Sequence, residues 1–155
     1  MRIVVISDTH GKSERLMAYL EHYKDTIDEI WHLGDYHRDT EDFPDVPLFS
    51  VRGNGDLGVR LTDALILERC GHRVLLTHGH LYGVKNTLTR LYYKALEAEV
   101  DIVCFGHTHK PIHLESSGIH LFNPGSPTHP FPHTHASIGI IEFSDNEMVL
   151  KHVYL

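Results

Sequence analysis

The sequence predicts an α/β fold that gathers its functional residues at the carboxyl ends of strands. Two observations carry the prediction. Short, continuous apolar runs recur along the chain, as in strands buried on both faces, and several end in glycine beside Asp, Asn or His. Segments with apolar residues at helical spacing lie between some of these runs. Helices come early and strands late.

Arg2 to Ile6 reads as the first buried strand, ending in the polar turn Ser7 to Gly11. Ser13 is a candidate cap for a helix whose apolar positions are Leu16, Met17 and Leu20. Ile30 to Leu33 is a second strand that stops at Gly34 and Asp35, and Pro47 to Val51 a third that stops at Gly53, Asn54, Gly55 and Asp56. This β-α-β-β opening is that of an α/β protein with ligands at its strand ends. Ala64 to Glu68 and Arg73 to Leu76 flank Cys70, Gly71 and His72 and read as a hairpin, its second strand ending in Thr77 to His80. Val84 to Glu99, with Leu88, Leu91, Tyr92 and Leu96, reads as an amphipathic helix. Asp101 to Phe105 is a further buried strand that ends at Gly106 to His109. Strands then follow around Ile112 to Glu115, Ile119 to Phe122, Ala136 to Phe143 and Met148 to Tyr154, the last two joined by a turn at Asp145 and Asn146. Pro124 to Pro132 is a proline-rich loop.

With 155 residues, 41% hydrophobic and 23% charged, the chain fits one globular domain spanning 1–155. The formal charge of −7 argues against stable nucleic-acid binding, which needs a basic face, but not against a phosphate substrate, because bound cations invert the local sign. Cys70 and Cys104 form no C-x-x-C pair, and no run approaches the length of a membrane span. A cytoplasmic location without membrane attachment is expected.

Five expected strand ends carry related residues: Asp8 and His10, Asp35, Asn54, His78 and His80, and His107 and His109. Alone, Asp-x-His is common by chance and Gly-Asp and Gly-Asn mark turns, whereas two imidazoles two apart after an apolar strand, as in His-Gly-His and His-Thr-His, have little use in a core. Together, short carboxylates, an amide and imidazoles suit a first-row divalent ion, and two such ions can clamp the attacking and leaving oxygens of a phosphoester displacement. Among the chain's 15 histidines, His22, His32, His72, His113, His120 and His152 have unremarkable sequence surroundings, and His129, His133 and His135 fall in or beside the proline-rich loop.

The motif order D-x-H, G-D, G-N-x-D, H-G-H and G-H-x-H resembles that of the calcineurin-like metallophosphoesterases, and the short chain with Gly106 to Pro111 looks like their small YfcE-like phosphodiesterase branch. The likeness runs from Ile3 through Asn123 to Ser126. It implies a four-layer α/β/β/α sandwich of two mixed β-sheets. It also implies two divalent ions: Asp8, His10 and His109 on the first, Asn54, His78 and His107 on the second, and Asp35 bridging both. Asp56, Thr108 and His80 would orient these ligands. Asp35, Asn54 and His80 are the candidate catalytic residues, and a metal-bridging hydroxide would attack a small phosphodiester. Manganese is favoured by resemblance, with Fe, Co, Ni and Zn compatible. One position departs from the pattern: Gly55 stands where many relatives carry His or Cys, so leaving-group protonation needs another donor. The rivals are a non-catalytic scaffold of the same fold, like the small retromer subunit of eukaryotes, and a metal-sensing regulator. The oligomeric state, a homo-oligomer included, is left open.

Overall fold

The computed structural model describes residues 1–11, 13–144 and 147–155. Among these residues the strands are β1 (Arg2–Ile6), β2 (Glu29–His32), β3 (Leu48–Ser50), β4 (Ala64–Arg69), β5 (His72–Thr77), β6 (Ile102–Cys104), β7 (Pro111–Ser116), β8 (Ile119–Pro124), β9 (Ser137–Ser144) and β10 (Glu147–Tyr154). The α-helices are α1 (Glu14–Tyr23) and α2 (Thr89–Ala98), with short 3-10 turns at Lys24–Thr26, His37–Asp42 and His80–Tyr82.

The strands form two five-stranded mixed sheets, ordered β10-β9-β1-β2-β3 and β4-β5-β6-β8-β7. β1, β2 and β3 run parallel, as do β5, β6 and β8, and antiparallel strands complete each sheet. Alternation along the strands builds the layers. Ile3 and Val5 of β1 face Val74, Leu76, Ile102 and Cys104 of the other sheet. Val4 and Ile6 face the opposite way, onto Leu16 and Leu20 of α1. In the second sheet Leu75 and Val103 turn outward onto Leu91 and Ala95 of α2. A strand between two apolar layers has no polar face to show, which is why β1 reads as an unbroken apolar run. The arrangement is the expected α/β/β/α sandwich.

Trp31 is fully buried in the central layer, its indole N–H donating to Glu29 Oε2 at 2.8 Å. Arg69 Nε meets the same carboxylate at 2.8 Å, so a charge in β2 is paired across to the second sheet.

Local signals set several boundaries. Ser13 caps α1 as expected, its side chain accepting the Leu16 N–H at 3.2 Å. The β4–β5 hairpin turns on Cys70 and Gly71, both at positive φ (50° and 83°), as a two-residue type I′ turn requires, and His72 already belongs to β5. The second helix begins at Thr89 instead of Val84. Gly83 is left-handed (φ 65°), the Asn86 N–H bonds back to it, and Thr87 Oγ1 accepts the Thr89 N–H at 3.2 Å, so the segment from Gly83 to Leu88 is a turn. The expected turn at Asp145 and Asn146 lies outside the described residues.

Candidate metal centre

Five parallel strands, β1, β2 and β3 in one sheet and β5 and β6 in the other, deliver their carboxyl ends to one edge of the sandwich. The chain must turn sharply there, and it does so at a cost. Asp8, His10, Asp35, His107 and His109 all hold left-handed backbone, with φ between 44° and 67°. Non-glycine residues rarely adopt this conformation, and its clustering marks a site where the surroundings enforce geometry. Two glycines allow the close approach. A Cβ on Gly53 would lie 2.1 Å from Asp35 Oδ1, and one on Gly106 would lie 1.9 Å from Ser7 Oγ and 2.8 Å from Asp8 Oδ2.

Among the described residues two groups of side-chain atoms converge, and each could hold a metal ion: Asp8, His10 and His109, and Asp8, Asp35 and His78. Asp8 Oδ1 lies 3.2 Å from His109 Nε2 and 3.9 Å from both His10 Nε2 and His78 Nε2. Asp8 belongs to both groups, and Asp35 Oδ2 of the second also reaches toward the first, 3.7 Å from His10 Nε2 and 3.5 Å from His78 Nε2. Asn54 Oδ1 and His107 Nδ1 each approach His78 Nε2 to 3.2 Å. His10 Nε2 and His109 Nε2 face one another at 3.3 Å. All seven expected ligands therefore meet at this edge.

Backbone partners fix the rings. His78 Nδ1 donates to the Leu33 carbonyl at 2.8 Å and His109 Nδ1 to the His129 carbonyl at 2.6 Å, which leaves Nε2 of each ring as the atom aimed inward. The Asp56 carboxylate does comparable work for the loops. Its Oδ2 accepts the N–H groups of Asp35 (2.9 Å) and Gly53 (2.8 Å), and its Oδ1 accepts that of His37 (2.7 Å). The Thr108 hydroxyl accepts from Asn123 Nδ2 at 3.1 Å and from the Lys110 N–H, and so ties the loop that carries His107 and His109 to β8.

The electrostatics call for positive charge. Burial alone would raise the carboxyls of Asp8 and Asp35, but the imidazoles around them outweigh it, chiefly His109 for Asp8 and His78 for Asp35, and both are held below the ordinary carboxylate range. Burial lowers His78, yet the two carboxylates raise it overall, and contact with Asp8 raises His109. His10 is lowered by burial, and His107 is pushed down to about 4 by burial and then by His78. Asp8 Oδ1 is buried without a hydrogen-bond partner. One proton on His78 cannot serve Asp35 Oδ2, Asn54 Oδ1 and His107 Nδ1 together. Mixed carboxylate, amide and imidazole donors aimed at one space fit a first-row divalent cation.

His80 stands at the margin, its ring 5.3 Å from that of His78 and 6.1 Å from that of His107, and burial lowers its pKa. His129 comes to the centre through its carbonyl and its ring, 5.5 Å from His10, whereas His135 packs against Tyr154. Sequence reasoning missed Tyr36, whose ring lies 5.0 Å from that of His10. It also gave no role to Asn123, Ser126 and Thr128. Asn123 Nδ2 donates to the Gly106 carbonyl, and the Ser126 hydroxyl donates to the Asp8 carbonyl at 2.8 Å, with Thr128 bonding the Thr9 carbonyl. The signal was the Asn-Pro-Gly-Ser segment, part of the resemblance but not read as a clamp. Beside His107 and His109 opens a cleft of about 610 Å³, walled by Lys85, Lys110, Ile112 and Phe131 among others.

Comparison with known proteins places the chain in a family. Residues 1–146 match the family described as "Calcineurin-like phosphoesterase superfamily domain". A "Probable metallophosphoesterase YsnB" of Bacillus subtilis is 36% identical over 126 residues, covering 81% of this chain and 75% of that protein. The "Phosphodiesterase YfcE" of Escherichia coli is 37% identical over 78 residues, covering 50% of this chain and 38% of its own length. Among solved structures, a conserved Streptococcus pneumoniae protein described as a "predicted phosphoesterase" superposes with TM-score 0.81 at 28% identity, covering 99% of this chain and 88% of that one. A Vps29 of Entamoeba histolytica complexed with Zn²⁺ superposes with TM-score 0.77 at 21% identity, covering 99% of each chain, a likeness of fold.

Proposed function

Because the chain belongs to the calcineurin-like phosphoesterase superfamily, we propose that it is a two-metal-dependent phosphodiesterase. The observation that carries the proposal is the position of Asp35 Oδ2 between two sets of inward-aimed donors. Asp8, His10 and His109 would hold one cation, Asn54, His78 and His107 the other, and Asp35 both. Two divalent cations held there supply Lewis acidity to the phosphoryl oxygens and a nucleophile from water near neutral pH. The protein's own part is positional. Leu33 and His129 carbonyls orient two imidazoles, Asp56 locks the Asp35 and Gly53 backbones, and Asn123, Ser126 and Thr128 clamp the loops after β1 and β6.

Diester preference follows from Gly55, which offers no proton to a leaving group. General-acid help is worth about 10²–10⁴-fold, so its absence weighs most on poor leaving groups. His80, its ring 5.3 Å from that of His78, and His129, its ring 5.5 Å from that of His10, are the surplus imidazoles beside the centre that could replace it. Manganese remains the favoured metal. The test is a matrix of divalent ions against an activated phosphodiester and an alkyl phosphomonoester. The expected outcome is metal-dependent turnover with the diester strongly preferred. An efficient alkyl monoesterase contradicts the preference, and a protein that binds metal yet turns over neither ester supports the scaffold reading.

A further inference from the structure

The cleft beside His107 and His109 differs in sign from the rest of the molecule. The chain carries a net charge of −7, yet Lys85 and Lys110 line this cleft and, among the described residues, no carboxylate does. Its apolar wall includes Val84, Ile112 and Phe131. Phe131 is 46% exposed, and Lys110 Nζ lies 5.7 Å from its ring centroid. A half-exposed aromatic ring with an ammonium group nearby offers a planar ring that bears a negative charge both a stacking partner and a counter-charge. This wall is also fixed relative to the centre. The Phe131 N–H donates to the His109 carbonyl at 3.0 Å, while His109 Nδ1 donates to the His129 carbonyl at 2.6 Å, so the loop wall and a metal-facing imidazole are bonded in both directions.

Building on the phosphoesterase reading above, we infer that this cleft is the subsite for an ester substituent of the substrate, and that it takes an aromatic group carrying a second negative charge. Phe131 stacks on the ring, Lys110 pairs with the charge, and Lys85 adds a second cation. The phosphoryl group then lies at the His107 and His109 end. An acidic protein thereby selects a substrate more anionic than a simple diester.

Binding tests this separately from turnover. The metal-loaded protein is titrated calorimetrically with methyl, phenyl and para-carboxyphenyl methylphosphonate, which differ only in their one ester substituent. Phenyl should bind about fivefold more tightly than methyl, and para-carboxyphenyl about threefold more tightly again. Phe131→Ala should erase the first step and Phe131→Tyr retain it, while Lys110→Ala should erase the second. Equal affinities for the three ligands, or steps that persist in these variants, overturn the inference. Turnover of bis(p-nitrophenyl) phosphate by the same preparation reports on the phosphoesterase reading, so failure of one is distinguishable from failure of the other.

Discussion

At Asp35 two demands meet: Oδ1 accepts the Gly55 N–H at 2.6 Å, and Oδ2 faces His10 and His78. Asparagine can keep the first contact through its oxygen while turning an amide N–H toward the imidazoles, so Asp35→Asn should fold normally. Losing a group that merely orients a ligand costs about 10–100-fold in such sites. Loss of the shared ligand should therefore lower kcat by more than about 100-fold, and by more than removal of His107 alone. Kinetics and metal content of the two variants check this, and near-normal turnover with two bound ions in Asp35→Asn would falsify the bridging role. Gly55 is coupled to the same carboxylate. A Cβ there would meet Asp35 Oδ1 at 3.1 Å, so Gly55→His shifts Asp35 as well as adding an imidazole, and its activity alone does not isolate proton donation.

The strand ends were legible in sequence because glycine and metal-binding residues alternate with apolar runs in a way turns alone do not require. All seven candidate ligands assemble where those ends meet. The start of α2 was not legible: Val84 and Leu88 keep helical spacing with Leu91, and only the backbone at Gly83 and the Thr87 hydroxyl break the pattern. The clamp by Asn123, Ser126 and Thr128 was hidden for another reason. Asn123 reaches back 17 residues to Gly106, and Ser126 and Thr128 reach back more than 100 to Asp8 and Thr9, distances over which sequence spacing carries no trace of a contact. At this scale Gly106 is the sharpest test, since the end of β6 passes against Ser7 and Asp8. Gly106→Ala forces these elements apart and should destabilise the fold by about 1–3 kcal/mol, with weaker metal binding. Thermal melts with and without metal measure both, and an unchanged melting temperature contradicts the close approach.

Across the whole molecule, stability should depend on pH through a histidine behind the centre. His32 is fully buried, its Nδ1 has no hydrogen-bond partner, and burial lowers its pKa from 6.5 to about 4. The unfolded chain therefore binds a proton near pH 6.5 that the folded chain refuses until about pH 4. Stability is full above the higher value and falls as pH drops through this window, by roughly 3 kcal/mol from this group. Chelator-treated protein should melt progressively lower between these pH values, and His32→Asn should flatten the slope; an equal slope in both proteins assigns the effect elsewhere. Among the described residues no helix is long and apolar enough to cross a membrane.

Dependence of hydrolysis on two cations held at one edge of this sandwich is a measurable property. Its most direct measurement is metal stoichiometry by elemental analysis alongside turnover of an activated phosphodiester, before chelation, after chelation and after reloading with manganese. The account predicts two ions per chain, turnover abolished by chelation, and recovery that tracks occupancy. Full turnover by a chain shown to be free of metal would contradict it.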